Sequence, residues 1–208
     1  MGARTSSRGI STRYTTEAAC LRATRESTDP LRGLFEHAGG LKEVRRSGWA
    51  ERLGLEGAES VADHSYATAF IAMVYSDIMG LDTERVVRMA LLHDLAESVT
   101  GDVTPGSLPE GQKESDERAA MDSILGLLPE RARGPYRDAW AEYLAGETRE
   151  ASLVRQADKL EMAMQARRYA HAGDIGPFMR TARERVSDPE LARMLEACGD
   201  ARGGAPAG

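Results

Sequence analysis

The sequence predicts an all-α fold, and three observations carry that prediction. From Asp29-Pro30 onward, apolar residues recur at three- and four-residue intervals almost everywhere. The alternation a half-buried strand requires appears over no useful length. The breaks between periodic stretches carry helix punctuation, with Asp or Pro at starts and Gly at stops.

Taken in order, Asp29 is placed to cap and Pro30 to occupy the first helical position of a helix running through Leu31, Leu34 and Phe35. Gly39-Gly40 ends it. A short segment over 41–46 follows, then a Gly-punctuated loop carrying Trp49. The next helix spans 60–79, with Val61, Ala69, Phe70, Met73, Val74 and Ile78 at helical spacing and Gly80 as its stop. Asp82 caps the one after it, in which Val86, Val87, Ala90, Leu91, Leu92 and Leu95 leave almost no polar face. Such a helix belongs at the centre of a bundle.

Pro105 and Pro109 break the chain within 99–111. Helices over 112–128, 130–145, 149–172 and 189–197 complete the fold. The run "KESDERAA" reads as a solvated helix face, and Met73, Met79, Met162 and Met164 read as core filler. Trp140 and Tyr143 suit either the core or a partner subunit.

With 208 residues, 41% of them hydrophobic, the chain can bury one substantial core, which predicts a single domain over 29–200. Residues 1–28, rich in Arg, Ser and Thr, read as a disordered extension, and 201–208 as a flexible tail. The net charge of -6 offers no general attraction to a nucleic-acid polymer or an anionic membrane. Cys20 and Cys198 match no metal-binding spacing, and no apolar run approaches the ~20 residues of a membrane span. Together with the lack of a secretory signal pattern, these features predict a cytoplasmic protein.

Against this ordinary background, "ALLHDLAESVTGD" places His93, Asp94 and Glu97 inside an apolar stretch and Asp102 just beyond it. Buried ionisable groups must be paired, neutralised or metal-bound. His64, in "ESVADHSYATAF", and Asp158, in "LVRQADKLEMAMQA", interrupt two other apolar helices. Read singly, each is a hydrogen-bonded core histidine or a cap. Together, two imidazoles and two carboxylates form a site for one divalent ion, of the kind Mn, Co, Fe, Ni or Zn occupies, with Mg preferring an all-oxygen shell. Glu97, four residues after His93, falls beside such an ion as a general acid or base, and Asp102 completes the pocket wall.

These residues resemble the HD-domain metal-dependent phosphohydrolases, whose signature is a His, a His-Asp pair and a distant Asp. The resemblance sharpens to the 5'-deoxynucleotidase branch, through the HD-x-x-E-x-x-x-x-D run in "HDLAESVTGD" and the Arg and Trp of "RRSGWAERLGLEGAESVADHS". It implies an HD-domain helical bundle with one divalent metal held by His64, His93, Asp94 and Asp158. It further implies that Glu97 handles the proton, that Asp102 contacts the sugar, that Arg46 holds the phosphate and that Trp49 lies against the deoxyribose. Arg45 and Arg52 flank Arg46 as rivals for the phosphate, while Lys159 either reaches the phosphate or pairs with Glu161.

The reaction implied is removal of the 5'-phosphate from a (deoxy)nucleoside 5'-monophosphate by metal-activated water, by an enzyme of a family whose members tend to form homodimers. A phosphatase for a modified nucleotide in a specialised pathway, and a non-catalytic nucleotide-binding regulator, are the neighbouring readings. A di-iron oxygenase would need more histidines than the four present, and a triphosphohydrolase a more basic pocket. His37 and His171 read instead as helix C-terminal residues.

Overall fold

Local polar chemistry sets where the helices begin. The computed structural model describes residues 29–104 and 106–200, so the expectations for 1–28 and 201–208 lie outside the described residues. Helix α1, Pro30–Gly40, opens where Asp29 accepts the Leu31 N–H at 3.0 Å. Helix α3, Val61–Met79, starts at a reciprocal capping box between Ser60 and Asp63, and Gly80 ends it at φ +63° in the left-handed region. Asp82 caps α4, Thr83–Leu92, and Thr148 caps α8, Arg149–Arg168. Between these lie α2, Ser47–Leu53, α5, Glu97–Thr100, α6, Gln112–Gly126, and α7, Glu130–Ala145. Helices α9, Gly176–Arg185, and α10, Pro189–Asp200, follow.

The all-α expectation holds among the described residues, where β-type pairing reduces to one isolated bridge between Arg45 and Ser60. Several details differ from the sequence reading. Trp49 stands on helix α2 rather than in a loop, because its indole is buried and drives a helical turn inward. The helix read through Leu95 ends at Leu92, and residues 93–96 form turns before α5. Helix α8 stops at Arg168 and α6 at Gly126, whereas α10 runs on to Asp200. Helix α9 went unread, although Pro177 in its first turn was a usable start signal.

The bundle's centre is also elsewhere. Helices α3, α4, α7, α9 and α10 all pack against α8, which buries small residues such as Ala151, Ala157, Ala163 and Ala166 that permit close approach. Helix α4 is instead amphipathic, since Val86, Met89 and Ala90 are buried while Leu91 is 54% exposed. Likewise Phe70, Val74 and Ile78 of α3, read as core, stand exposed on the face away from α8.

The core itself behaves as a close-packed interior. Ile124 of α6 is fully buried, and replacing it with Ala is expected to cost about 2–5 kcal/mol through lost contacts and a residual cavity. Urea unfolding checks this, with far-UV circular dichroism expected to show unchanged helix content before the transition.

Candidate metal centre and active site

Three helical segments deliver the ionisable residues to one place. His64 comes from the first turn of α3, His93 and Asp94 from the turns after α4, and Asp158 from the middle of α8. Ligand atoms of His64, His93 and Asp94 all lie within 4.8 Å of one another. Asp94 Oδ2 is 3.2 Å from His93 Nε2 and 3.7 Å from His64 Nε2, while Asp158 Oδ1 is 3.4 Å from His64 Nε2. The break at Leu92 makes this possible, because it releases His93 and Asp94 from one regular helical face.

The tautomers follow from the partners. His93 Nδ1 donates to the Ala90 carbonyl at 2.7 Å, and His64 Nδ1 donates to Glu161 Oε2 at 2.5 Å. Both Nε2 atoms are buried and carry no hydrogen bond. Two orphaned imidazole nitrogens facing two carboxylates form a donor set that fits a divalent cation. Of the four residues expected as ligands, His64, His93 and Asp94 form one compact group, and Asp158 adjoins it through His64.

A cavity of roughly 240 Å³ opens beside them, walled by the carboxylates Asp94, Glu97, Asp102 and Asp158 and the cations Arg46, Arg52, Lys113 and Lys159. Glu97, at the start of α5, is 3% exposed, and its Oε2 has no hydrogen-bond partner. Burial, reinforced by the charges of Asp94 and Asp102, pushes its carboxyl up to about 10. Burial also opposes the charge on Asp94 and Asp158, yet Asp94 is held low by His93, His64 and Arg46, and Asp158 well below the usual carboxylate range by Lys159 and His64. Burial and Arg46 act to lower His64, but the adjacent Asp158 carboxylate and the hydrogen bond to Glu161 outweigh them and raise it to about 9.

Asp102 is tethered as well as placed. Gly101, at φ +74°, turns the chain so that the Asp102 carboxylate accepts the Ser47 N–H at 2.5 Å while its carbonyl accepts the Ser47 hydroxyl at 2.6 Å. This ties the loop after α5 to the start of α2, which carries Arg46 as its cap residue.

The three arginines separate cleanly. Arg46 Nη1 lies 3.4 Å from Asp94 Oδ2; Arg45 turns away to the Ala58 carbonyl, and Arg52 lies over the Phe178 ring. Trp49 lines the cavity but is 1% exposed, with its indole N–H on Glu59 and its rings packed against Phe178 and Tyr169. Its largest contribution is packing.

Other expectations are corrected. Lys159 pairs with Asp158 at 2.9 Å and not with Glu161, since residues two apart on a helix point away from each other. His37 does not serve its own helix end; it is buried and bonded to the Ser98 hydroxyl at 3.0 Å, whereas His171 does meet the Arg168 carbonyl that ends α8. Trp140 is buried against Tyr143, so core packing accounts for the pair, and Tyr143 in turn sets its edge on the His93 ring.

Sequence reasoning missed Lys113, assigned to a solvated face, which stands 3.7 Å from Glu97 and donates to the Val103 carbonyl at 3.1 Å. No spacing rule links it to the motif. It also missed Phe178 and Thr181 as cavity walls and Glu161 as the partner of His64, whereas Arg52, read as a rival of Arg46, does line the cavity. Met162, read as filler, borders the cavity from α8.

The protonation balance has a measurable consequence. His64's folded value lies above its unfolded 6.5, so the stability it contributes is complete below about pH 6.5 and is lost as pH rises through about 9. Glu97 acts in the same direction, from its unfolded 4.5 up to about 10. Asp94 and Asp158 are lowered, so their contributions disappear only in acid. Metal-free protein is expected to show a falling Tm between pH 6.5 and 9, with the Tm gain on adding Mn2+ growing over the same interval. Thermal unfolding with and without a chelator checks both, and a rising metal-free Tm would contradict them.

A family model described as an HD domain matches residues 38–195. The chain is similar to the 5'-deoxynucleotidase HDDC2 of Mus musculus, 38% identical over 162 residues, covering 76% of this chain and 80% of that protein. Its similarity to the 5'-deoxynucleotidase HDDC2 of Xenopus laevis is 35% over 172 residues, covering 80% and 85%. Among solved structures, a Pyrococcus horikoshii OT3 protein superposes with a TM-score of 0.66 at 30% identity, covering 80% of this chain and 96% of that one.

Proposed function

The chain belongs to the HD-domain family, and from that premise we propose that it is a metal-dependent phosphomonoesterase removing the 5'-phosphate from deoxynucleoside 5'-monophosphates. The observation that carries this reading is the pair of orphaned Nε2 atoms beside Asp94 and Asp158, opening onto a cavity that also holds the unpartnered oxygen of Glu97. Its relatives are named 5'-deoxynucleotidases, and the same reaction suits this cavity.

His64, His93, Asp94 and Asp158 are the residues that would hold a divalent ion, of which Mn, Co, Fe, Ni, Zn and Mg are the candidates. When bound, such an ion lowers the pKa of a coordinated water and neutralises phosphoryl charge. The cavity's charge count is consistent with that need. With Glu97 holding its proton, four cations face three carboxylates, and a dication would add to the positive surplus that a 5'-phosphate dianion meets.

Arg46 clamps the phosphate, because its guanidinium stands beside Asp94 on the cavity wall. Lys159, on the Asp158 side, supplies a second cation to the same oxygens. Water adds to phosphorus as the bond to the 5'-oxygen breaks, giving a nucleoside and inorganic phosphate. Glu97 moves the proton: one oxygen faces Lys113 and the other is free to meet water or the leaving oxygen. Asp102, fixed by Ser47, presents its remaining oxygen to the sugar hydroxyl, and Trp49, backed by Phe178, limits space at the sugar.

The di-iron reading loses ground for a structural reason. His37 is engaged by Ser98 and His171 by Arg168, so neither joins the site. We further propose a cytoplasmic homodimer acting on no nucleic-acid polymer. No described helix is long and apolar enough to cross a membrane. Tyr66, Phe70, Val74 and Ile78 form an exposed i, i+4 ridge along α3, flanked by no charge over 65–76, which suits a second copy. Light scattering is expected to give twice the chain mass, and Phe70→Glu half of that.

The direct test is phosphate release from ribo- and deoxynucleoside 5'-monophosphates after metal stripping and re-addition of Mn2+, Co2+ or Mg2+. Metal-dependent release favouring deoxy substrates is expected; metal binding with no release across the panel would overturn the assignment in favour of a specialised phosphoester or a regulator. Glu97→Gln is expected to retain metal and lose about 10²–10⁴-fold in kcat, the contribution of a positioned proton-transfer group.

A further inference from the structure

Glu161 lies three residues after Asp158 on α8, so both carboxylates project from one helix face. They straddle a single imidazole. Asp158 Oδ1 stands 3.4 Å from His64 Nε2, and Glu161 Oε2 stands 2.5 Å from His64 Nδ1. We propose that Glu161 is a positioning residue, which holds His64 in the tautomer and orientation that present Nε2 to the metal site. This rests on the reading of His64 as a metal ligand given above.

The physical need is specific to this ring. A neutral imidazole offers a lone pair at one nitrogen only when the other carries the proton. His64 is fully buried, so water cannot accept that proton. Without an acceptor at Nδ1, the proton is free to sit on Nε2, where Asp94 and Asp158 attract it and the metal position is blocked. His93 meets the same need within its own chain, through the Ala90 carbonyl three residues back. His64, in the first turn of α3, takes its acceptor from α8 instead. One helix thereby supplies a ligand and the group that orients another ligand.

A rival reading is a second metal site, since Glu59, His64 and Glu161 offer ligand atoms within 4.8 Å of one another. Two facts oppose it. Glu59 is committed to the Trp49 indole N–H at 3.0 Å, and Nδ1 cannot ligate while it donates to Glu161. Occupying both nitrogens with metal would require a fully deprotonated imidazolate.

The test compares Glu161→Ala and Glu161→Gln in the full chain, because a Gln amide oxygen accepts the same hydrogen bond without charge. Mn2+ affinity is read by calorimetry on stripped protein, and the His64 Nδ1 proton by 15N NMR on the Zn2+-loaded form. Glu161→Ala is expected to weaken Mn2+ binding about 10–100-fold and lose the slowly exchanging Nδ1 proton, whereas Glu161→Gln stays within about threefold and keeps it. At saturating metal, kcat of both is expected to recover more fully than metal affinity does. If Glu161→Ala fails to fold, Glu161→Leu, of closer volume, carries the comparison. Parent-like metal affinity in the Ala or Leu variant overturns the proposal, as does equal weakening in natively folded Gln and Ala variants. Absence of metal binding by the parent would overturn the functional reading itself, which separates the two failures.

Discussion

Burial of the His64 ring between two carboxylates of α8 is the constraint on which the rest of this structure depends. A dry imidazole must have both nitrogens satisfied, and here one is satisfied by Glu161 and the other is left for an ion. That requirement fixes the face α8 turns inward, the register of α3 against it and the depth at which Asp158 sits. It also explains the alanines of α8, which let α3 approach closely enough for a 2.5 Å contact between side chains of different helices.

From that contact the site builds outward in layers. The break after Leu92 swings His93 and Asp94 towards His64, and the single turn of α5 then carries Glu97 into a nearly dry position above them. The loop that follows is pinned back by Asp102 on Ser47, so Arg46 and Glu97 are held relative to each other by two hydrogen bonds. Lys113 ties the same loop to α6 through the Val103 carbonyl. Cavity-lining groups on short, tethered segments are thus supported by long helices whose own faces are committed to the core.

Much of this was legible beforehand, for identifiable reasons. His64, His93, Asp94 and Asp158 stood out because ionisable residues in apolar helices violate the burial rule unless something compensates them. Glu97 and Asp102 followed from spacing, although the segment joining them to His93 proved to be turns rather than continuous helix. The residues that escaped notice obey no local rule: Lys113 belongs to a stretch whose composition is that of any solvated helix, and Phe178 arrives from α9. Lys159 and Glu161 show the limit most clearly, since both were visible but the pairing of one with the other was an open alternative that only the packed helices decide against. Two residues apart on a helix they diverge, one towards Asp158 and the cavity, the other towards His64.

By itself, the sequence determined the helical class, the caps at Asp29 and Asp82, the stop at Gly80 and which ionisable residues interrupt the apolar helices. These are properties of neighbouring residues along the chain, written in periodicity, side-chain capping and the cost of buried charge. The tertiary structure alone decided that α8 rather than α4 is central and that Phe70 and Val74 face outward. It alone decided that Arg46 rather than Arg45 or Arg52 meets Asp94, and that Glu161 grips His64. Periodicity states that a face is apolar, but which face is covered, and which nitrogen of a buried ring finds an acceptor, depends on helices distant in sequence arriving at one place.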